Sequence, residues 1–550
     1  MNILKKHIGF IIIICLGLLP VLPLFHEGLP ITHDGQDHVA RIANFYLSLS
    51  EGNVIPRWAG NLNWGYGHPI LMFLYPLPSY GASLFHFIGF SLVDSVKIIF
   101  GLSYILSGIT MYLFIRNVFS EKAGILSAVL YMYAPYRFVD FYVRGAIGEH
   151  VAFIFTPFIL YCTYKSAKSN SPIFLLLGGV SISGLLLSHN ALALMFLPII
   201  ISYMAFLVIA SKQRVRLFIN YSLSLFIGFG LSSFFLIPAF FEGKYTLRDI
   251  VTGSGEYKAG FVHFTQFIIP SWSYGGSMEL SKQIGIVQIS AMLIATVVFF
   301  KAHTKKNTFL YALFCFTLLV SLFLTTPYAN FIWEKITILQ KFQFPWRLLS
   351  VVVLAAAVIP AFALITKKKS KRTIVFLVMI CVCSIVFYYP YYQPRAYLIK
   401  DENFYLKIYE STTDTGESSP RWSVRFMEHE ASKSAEIIEG SGEIIQEKRK
   451  TTQHDYVVKS YTDSVRIREN TLYFPNWEVY VDGIKTNIEF QDRLNRGLIT
   501  YKLPEGEHKI SVQFNDTKLR IVANLLTFLT IGLVFLMIIA YGIWRYINKA

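Results

Sequence analysis

Residues 5–25 of the chain read KKHIGFIIIICLGLLPVLPLF, two lysines and a histidine followed by a long apolar run. About 20 such residues in a helix cross the hydrocarbon core of a bilayer, which is about 30 Å thick. Pro20 and Pro23 stand where a signal peptide would carry small residues for its cleavage, so the run is expected to stay uncleaved. This stretch predicts a first transmembrane helix, with Lys5 and Lys6 on the cytoplasmic side.

Apolar runs of similar length recur along the chain, and together with the first they predict about twelve transmembrane helices. The composition agrees, because 54% of the 550 residues are hydrophobic and 15% are charged, whereas an average soluble domain has about 25% charged residues. The mean hydropathy of +0.47 excludes a soluble globular protein and a disordered one. The further runs lie at about 94–115, 123–140, 151–164, 173–189, 191–210, 217–241, 284–300, 308–325, 348–366, 373–390 and 521–544.

The basic residues between these runs predict the orientation. The stretch 70–90 is also apolar, but Pro76 and Pro78 interrupt it, and proline breaks a transmembrane helix. If this stretch lies at the outer interface, every strongly basic connection falls on the side of Lys5 and Lys6, as the positive-inside rule requires. Both termini are then cytoplasmic, and the net charge of +16 reflects topology rather than a nucleic-acid partner. The basic connections are Arg116 to Lys122, Lys165 to Lys168, Lys212 to Arg216, Lys301 to Lys306, Lys367 to Arg372 and Arg545 to Lys549.

Three longer connections are expected outside the membrane: residues 26–92, which we call the first loop, residues 242–283, and residues 391–520. In the third, hydropathy drops and apolar residues alternate with polar ones. This period of two predicts a small antiparallel β-domain, sandwich-like, over about 455–517.

The chain therefore divides into three parts. We expect a mainly α transmembrane domain at 1–390, a β-rich exterior domain at 391–520, and a final transmembrane helix with a cytoplasmic tail at 521–550. Within the β-domain, Asp482-Gly483 is a hairpin signal, and Pro504-Glu505-Gly506-Glu507 is expected to form a second turn.

The densest cluster of ionisable residues outside the β-domain directly follows the first apolar run. It reads His33-Asp34-Gly35-Gln36-Asp37-His38, and Arg41 follows. If a helix begins near Asp34, this residue suits the N-cap and the later ionisable side chains share its face. Such a group at a membrane boundary can act as a general base, hold a divalent cation such as Mg²⁺ or Mn²⁺, or be a solvated helix start. The spacing leaves these alternatives open.

Other ionisable residues recur at the ends of apolar runs on the same outer side. Such groups are costly near lipid unless they are paired or line an aqueous cavity, so together they suggest one polar cavity that opens outward. The sequence has no nucleotide-binding, zinc-protease or Ser-His-Asp signature, and nothing points to ATP or a nicotinamide cofactor. The recurring residues are Asp140, Arg144, Glu149, His150, His189, Glu242, Glu334, Lys341 and Arg347.

Several motifs resemble those of known membrane-protein families. The acidic pair after the first span and the Pro-aromatic stretch at 75–80 resemble the GT-C class of integral-membrane glycosyltransferases. The stretch 116–150, which contains APYR at 134–137 and RGAIGEH at 144–150, resembles bacterial membrane proteins described as 6-pyruvoyl-tetrahydropterin synthase related and the YfhO-like family. FPNWEVYVDG at 474–483 is also YfhO-like. The pterin synthase itself is a soluble zinc enzyme, and this chain offers no comparable set of ligands.

The resemblance implies a GT-C-like fold and a sugar donor carried on a polyprenyl phosphate. It also implies transfer to a glycan, lipid or polymer acceptor on the exterior face of a bacterial cell membrane, with inversion at the anomeric carbon. Asp34 is then the catalytic carboxylate that acts as general base, and Asp37 is its partner, although the family often has an adjacent Asp-Glu pair. A metal, if bound, is expected on Asp34, Asp37 and His38. The residues expected to bind substrate or the lipid phosphate are His33, His38, Arg41, Arg144, Glu149, His150, His189, Lys341 and Arg347.

Two other functions stay open on the sequence. About twelve spans also suit a transporter or flippase of lipid-linked glycan precursors, although the sequence shows neither an inverted repeat nor paired charges in the middle of spans. A non-catalytic envelope-assembly protein, whose β-domain binds cell-envelope polymer, is the third hypothesis.

Overall fold

The computed structural model describes residues 2–169, 171–253, 255–276, 279–302, 305–365 and 371–547. These residues are mainly α-helical, as expected, because a chain in lipid must satisfy its backbone hydrogen bonds within each segment. Residues 303–304, 366–370 and 548–550, which belong to the basic connections expected in the cytoplasm, lie outside the described residues. The longer helices are α1 (Asn2–Leu18), α2 (Gly35–Ser50), α3 (Leu77–Phe87), α4 (Leu92–Val118), α5 (Glu121–Met132), α6 (Ile147–Lys168), α7 (Ile173–Ser188), α8 (Asn190–Ala210), α9 (Arg214–Leu231), α10 (Ser233–Phe241), α11 (Ile286–Ala302), α12 (Lys305–Thr325), α13 (Leu349–Val358), α14 (Lys371–Tyr388) and α15 (Lys518–Ile547).

Among the described residues, seven helical segments are long and apolar enough to cross a membrane. An eighth is obtained if α9 and α10, which meet at a bend of 70°, are taken as one broken span, and α7 and α11 are apolar but shorter. The mainly helical polytopic class is confirmed, while the number of about twelve spans stays a prediction. The seven segments are His7–Phe25, Leu92–Val118, Asn190–Ile209, Asn307–Thr325, Pro345–Leu364, Ile374–Tyr392 and Lys518–Ile547.

The expected single span at 123–140 is wrong in its second half. Helix α5 ends at Met132, and Pro135 opens a new short helix, Pro135–Phe138. The following residues Val139–Arg144 form a π-helical turn. Proline lacks the N–H that would continue the helix, and its ring clashes with the preceding turn.

The stretch 70–90 does not form one continuous helix. It contains a short helix, Ile70–Phe73, and then α3, with Pro76 at the N-terminal cap of α3. Neither piece is as long as a span, which agrees with the prediction that this stretch does not cross the bilayer as one helix.

The β-strands lie mainly near the C-terminus. They are β1 (Leu29–Pro30), β2 (Tyr397–Leu398), β3 (Ala435–Glu439), β4 (Gly442–Arg449), β5 (Gln453–Leu472), β6 (Trp477–Val481), β7 (Ile484–Thr486) and β8 (Leu498–Phe514). Strands β1 and β2 pair with each other, and the other six form one antiparallel sheet in the order β3-β5-β8-β6-β7, with β4 also paired to β5. The β-rich domain before the last helix is confirmed, with its strands in one hydrogen-bonded sheet rather than in the two sheets of a sandwich.

One of the two expected turns is present and the other is absent. Asp482 and Gly483 join β6 to β7 with φ of 51° and 83°, as a two-residue hairpin requires. The turn expected at Pro504–Glu507 is wrong, because β8 continues through these residues. Opposite them, Ser460 pairs with Gly506 and Ser464 with Pro504, so the additional residues form a bulge in β5.

The six-stranded sheet packs on the first loop. Trp58 contacts Trp477 edge to face, with ring centroids 5.4 Å apart, and Phe73 lies 6.0 Å from Phe474. The buried Arg520 at the start of α15 donates to the Glu242 carboxylate at 2.8 Å. This ion pair joins the last helix to the end of α10.

Residues 403–420, which we call the clasp, run between the membrane helices and the sheet and wrap around the first loop. The Tyr409 N–H donates to the Asn61 carbonyl at 2.8 Å, and the Asn63 N–H donates to the Ser411 carbonyl at 3.0 Å. The strands of the sheet begin only at Ala435. The first part of the expected β-rich domain is therefore an irregular segment that reaches α2.

Candidate active site

The acidic motif, residues 33–38, is held by backbone hydrogen bonds to the turn that precedes α6. The His33 N–H donates to the Val143 carbonyl at 2.9 Å, and the Asp34 N–H donates to the Arg144 carbonyl at 2.8 Å. Helix α2 begins directly after Asp34, which occupies the N-cap position, as the sequence predicts. The motif is thus fixed against the turn at 143–145 by two backbone hydrogen bonds.

Gly145 allows the two segments to approach this closely. Its φ of 67° is left-handed, and a Cβ added there would lie 2.2 Å from the Thr32 hydroxyl oxygen. That hydroxyl accepts the Gly35 N–H at 3.1 Å, which satisfies one of the free N–H groups of the first turn of α2. A side chain at Gly145 would separate the acidic motif from Arg144.

Asp34 is exposed and its carboxylate makes no hydrogen bond to any residue that the structure describes. Its neighbour His33 is also exposed, and the imidazole Nε2 lies 3.4 Å from the Tyr274 carbonyl oxygen. Both oxygens of the Asp34 carboxylate are therefore available to a ligand. A group that accepts a proton from a substrate requires such a free oxygen.

Asp37 is held by the clasp. The Tyr409 hydroxyl donates to Asp37 Oδ1 at 2.9 Å, and the Gln36 amide donates to the same hydroxyl at 2.9 Å. Burial raises the pKa of Asp37 above its usual range, and the hydrogen bond from Tyr409 acts in the opposite direction. The two carboxylates of the motif thus have different environments, a pattern typical of acid–base pairs.

His38 and Arg41 also connect α2 to the clasp. Arg41 Nη1 lies 2.9 Å from His38 Nδ1, and Arg41 Nε donates to the Thr413 hydroxyl at 3.1 Å. Arg41 Nη2 donates to the Thr413 carbonyl. Burial lowers the pKa of His38 well below its usual value, so the imidazole is neutral and accepts at Nδ1. Both residues position α2 in this structure.

Four charged residues, three of them buried and Arg347 partly buried, form what we call the ladder: Asp140, Arg144, Glu149 and Arg347. Arg144 donates to Asp140 at 2.6 Å and to Glu149 at 2.7 Å, and Arg347 Nε lies 3.2 Å from Glu149. The π-helical turn places Asp140 and Arg144 on one side, and α6 supplies Glu149 one turn further on. The side chain of Arg347 is 16% exposed, against 6% for Arg144 and none for either carboxylate.

Aromatic rings surround the ladder. The Arg144 guanidinium lies 4.6 Å from the centroid of the Trp346 ring, which favours a buried cation. His189 Nε2 lies 3.8 Å from Glu149, and its ring stacks on Tyr75 at 4.9 Å. Tyr75 interacts electrostatically with both Asp34 and Glu149, so it lies near both the acidic motif and the ladder.

The structure thus brings together most of the residues that the sequence singles out. Four of them are placed elsewhere. Glu242 pairs with Arg520 at the start of α15, and Glu334 forms an exposed ion pair with Lys258 at 2.9 Å. His150 is packed among aromatic rings, stacked on Tyr104 at 5.8 Å and tilted against Phe141 at 4.6 Å. Lys341 is half exposed and forms an ion pair with Asp249 at 2.7 Å.

Two residues of the site have no signal in the sequence. Tyr409 and Thr413 contact α2 from the clasp, more than 370 residues away along the chain, and nothing in their local pattern marks them. Tyr75 and Trp346 stand out in the sequence only as members of the aromatic belt or of the Pro-aromatic stretch.

The expected ligand set for a divalent cation does not assemble. Among the described residues, no group of three or more His, Cys, Asp or Glu side chains is placed to hold a metal ion. His38 Nδ1 faces Arg41, and Asp37 Oδ1 faces Tyr409. These donors do not fit the cation.

Residues 71–394 match the family model described as "6-pyruvoyl-tetrahydropterin synthase related domain; membrane protein". The chain is also similar to a protein of uncharacterised function from Lactococcus lactis subsp. cremoris (strain MG1363), with 23% identity over 326 residues. That match covers 57% of this chain and 53% of the relative, so this chain spans about half of the length of the relative.

Two solved structures are similar to this one. One is the mycobacterial arabinofuranosyltransferase AftD, with a TM-score of 0.45, 12% identity, and coverage of 72% of this chain and 28% of that one. The other is the apo oligosaccharyltransferase of Archaeoglobus fulgidus, with a TM-score of 0.45, 12% identity, and coverage of 76% of this chain and 62% of that one.

Proposed function

The chain belongs to the 6-pyruvoyl-tetrahydropterin synthase related family of membrane proteins, and we propose that it transfers a sugar from a polyprenyl-phosphate-linked donor to a cell-envelope acceptor. The observation that carries the proposal is the position of the Asp34 carboxylate, which is exposed and has no hydrogen bond to the described residues, beside the ladder, to which the Arg144 backbone connects it. We infer that the reaction takes place on the exterior face, because the positive-inside rule predicts cytoplasmic termini and an exterior first loop.

The charges of the ladder favour an anionic ligand. Arg137 is also fully buried, lies three residues before Asp140 and interacts with it electrostatically. Arg137, Arg144 and Arg347 place three guanidinium groups in a low-dielectric region, where they stabilise the charge of a lipid phosphate. Arg347 has the most exposed side chain of the ladder and is the arginine that contacts the phosphate.

Asp34 acts as the general base. As the acceptor hydroxyl attacks the anomeric carbon, its proton passes to the Asp34 carboxylate. The new bond joins the acceptor oxygen to the anomeric carbon, and the bond from that carbon to the phosphate oxygen breaks. The polyprenyl phosphate leaves with the bonding electrons, and its charge is stabilised by Arg347. Attack opposite the leaving group inverts the anomeric carbon.

Asp37 and Tyr409 support Asp34. They fix the first turns of α2 against the clasp through the 2.9 Å hydrogen bond between their side chains. The proton that Asp34 accepts stays on Asp34 until solvent takes it, since the carboxylate is exposed.

The proposal is tested with purified protein in liposomes that contain a labelled polyprenyl-phosphate sugar and a crude envelope acceptor. We expect covalent transfer of the label, and a loss of at least about a hundredfold in Asp34→Asn, as for other general bases. Movement of the labelled lipid across the bilayer without covalent transfer would instead support a flippase.

A further inference from the structure

The six-stranded sheet has one face that is not used by the site. Along β5, Tyr456 and Val458 are buried in the core that the sheet shares with the first loop, while Asp455 and Val457, which alternate with them, are only partly buried. A groove of about 640 Å³ crosses this second face over β4, β5, β8 and β6. It is a concave surface of a size typical of ligand sites.

The polar side chains of the groove are held in a fixed arrangement. The Ser511 hydroxyl donates to Asp455 Oδ1 at 2.6 Å, and the Gln453 amide donates to Asp455 Oδ2 at 2.9 Å. The Gln513 amide donates to the Ser511 hydroxyl oxygen at 2.9 Å. Side chains oriented by one another lose little freedom when a ligand binds, and the remaining lone pairs and N–H groups stay available.

An aromatic ring completes the groove. Tyr480 is partly exposed, and its hydroxyl donates to Glu478 Oε2 at 2.8 Å. Tyr480 pairs with Ser511, and Ser511 with Asp455, so an aromatic ring, a hydroxyl and a carboxylate stand in one row across strands about 4.8 Å apart.

We propose that this groove binds an uncharged glycan chain, with a sugar ring on Tyr480 and its hydroxyls on Asp455 and Gln513. Lys448 and Lys509 also line the groove, beside Asp455, so its charges are of mixed sign and match neither a polyanion nor a polycation along its length. Planar amides and carboxylates beside an aromatic ring match the hydroxyls and the apolar face of a sugar. Binding requires no sugar transfer, so the inference is independent of the proposed reaction.

The test uses the full-length protein in detergent and an array of immobilised oligosaccharides, both neutral and anionic. We expect binding to neutral oligosaccharides, weakened by about tenfold in Tyr480→Ala, and also weakened in Asp455→Ala. The matched control is Tyr461→Ala, because Tyr461 lies in β5 of the same sheet, is 57% exposed and is outside the groove. Its binding should equal that of the wild type, and thermal unfolding confirms that each variant is folded.

Three results would overturn the inference. They are no binding of the wild-type protein to any neutral glycan, equal effects of Tyr480→Ala and Tyr461→Ala, and binding confined to anionic glycans. Transfer activity is measured on the same preparations, so that a protein that transfers sugar without binding the array disproves only this inference.

Discussion

The acidic motif and the ladder are joined through the backbone, but their carboxylates have opposite surroundings. Glu149 is fully buried and is contacted by Arg144, Arg347, Tyr136 and His189, whereas the Asp34 carboxylate is exposed and has no hydrogen bond to the described residues. A buried charge must be saturated with partners to be tolerated. A carboxylate that accepts a proton must have a free lone pair. In the proposed reaction, this difference separates the part that binds the phosphate from the carboxylate that accepts the proton.

The largest expected effect comes from breaking the ladder at Glu149. Glu149→Ala leaves Arg144 and Arg347 without their shared carboxylate, and loss of one partner of a buried ion pair costs about 3–5 kcal/mol. We expect a corresponding drop in the free energy of unfolding, which is measured by denaturation of the protein in detergent. Glu334→Ala, which removes a carboxylate from an exposed pair with Lys258, is the control and should leave stability unchanged. Equal stability of the two variants would show that the ladder is not a saturated buried network.

A smaller effect is expected from Arg347, the ladder residue that we place on the phosphate. Arg347→Ala should weaken binding of polyprenyl phosphate by about tenfold or more, because a charge-assisted hydrogen bond contributes about 1.5–3 kcal/mol. Arg347→Lys keeps the charge and should recover part of the affinity. Binding is measured with a fluorescent polyprenyl phosphate in micelles. Wild-type affinity in Arg347→Ala would place the phosphate elsewhere.

The acidic motif is probed at Tyr409, whose hydroxyl stabilises the ionised form of Asp37. Because this hydrogen bond lowers the pKa of Asp37, Tyr409→Phe should raise it further. The ionised carboxylate is then lost at a higher pH, so the acid limb of the transfer–pH profile moves upward, and transfer at neutral pH falls by up to about tenfold. An unmoved acid limb would mean that Asp37 does not have to be ionised for transfer.

The smallest effect is expected at Lys341, which the sequence places among the phosphate-binding residues. Since its ammonium group is paired with Asp249 on an exposed surface, Lys341→Ala should change transfer by less than about twofold. The same assay with Arg347→Ala provides the comparison. A loss of transfer as large as that in Arg347→Ala would show that Lys341 belongs to the site.

The fold could be predicted where one physical requirement dominates. Apolar runs long enough for a bilayer predict helices such as α4 and α8, and the alternating pattern predicts the β-domain. The prediction failed at Pro504–Glu507, where β8 continues as a strand. A sequence typical of a turn also fits a strand opposite a bulge, and here the additional residues of the bulge belong to the partner strand β5. Proline chemistry explains the break of the expected span at Pro135.

The candidate site could be predicted only in part. Charge at the end of an apolar run marked Asp34, Arg144, Glu149 and Arg347, since such groups are costly in lipid unless they serve a purpose. The sequence could not reveal that His150 faces aromatic rings instead of the ladder, because helix phase decides between the two. Nor could it reveal Tyr409, whose contact with Asp37 exists only because the clasp wraps around the first loop.

The most direct test of the division between the two regions measures two quantities on one variant, Asp34→Asn. We predict that it binds polyprenyl phosphate with wild-type affinity, because the ladder is intact, while sugar transfer falls by at least about a hundredfold because the general base is lost. Wild-type transfer by folded Asp34→Asn would contradict the account.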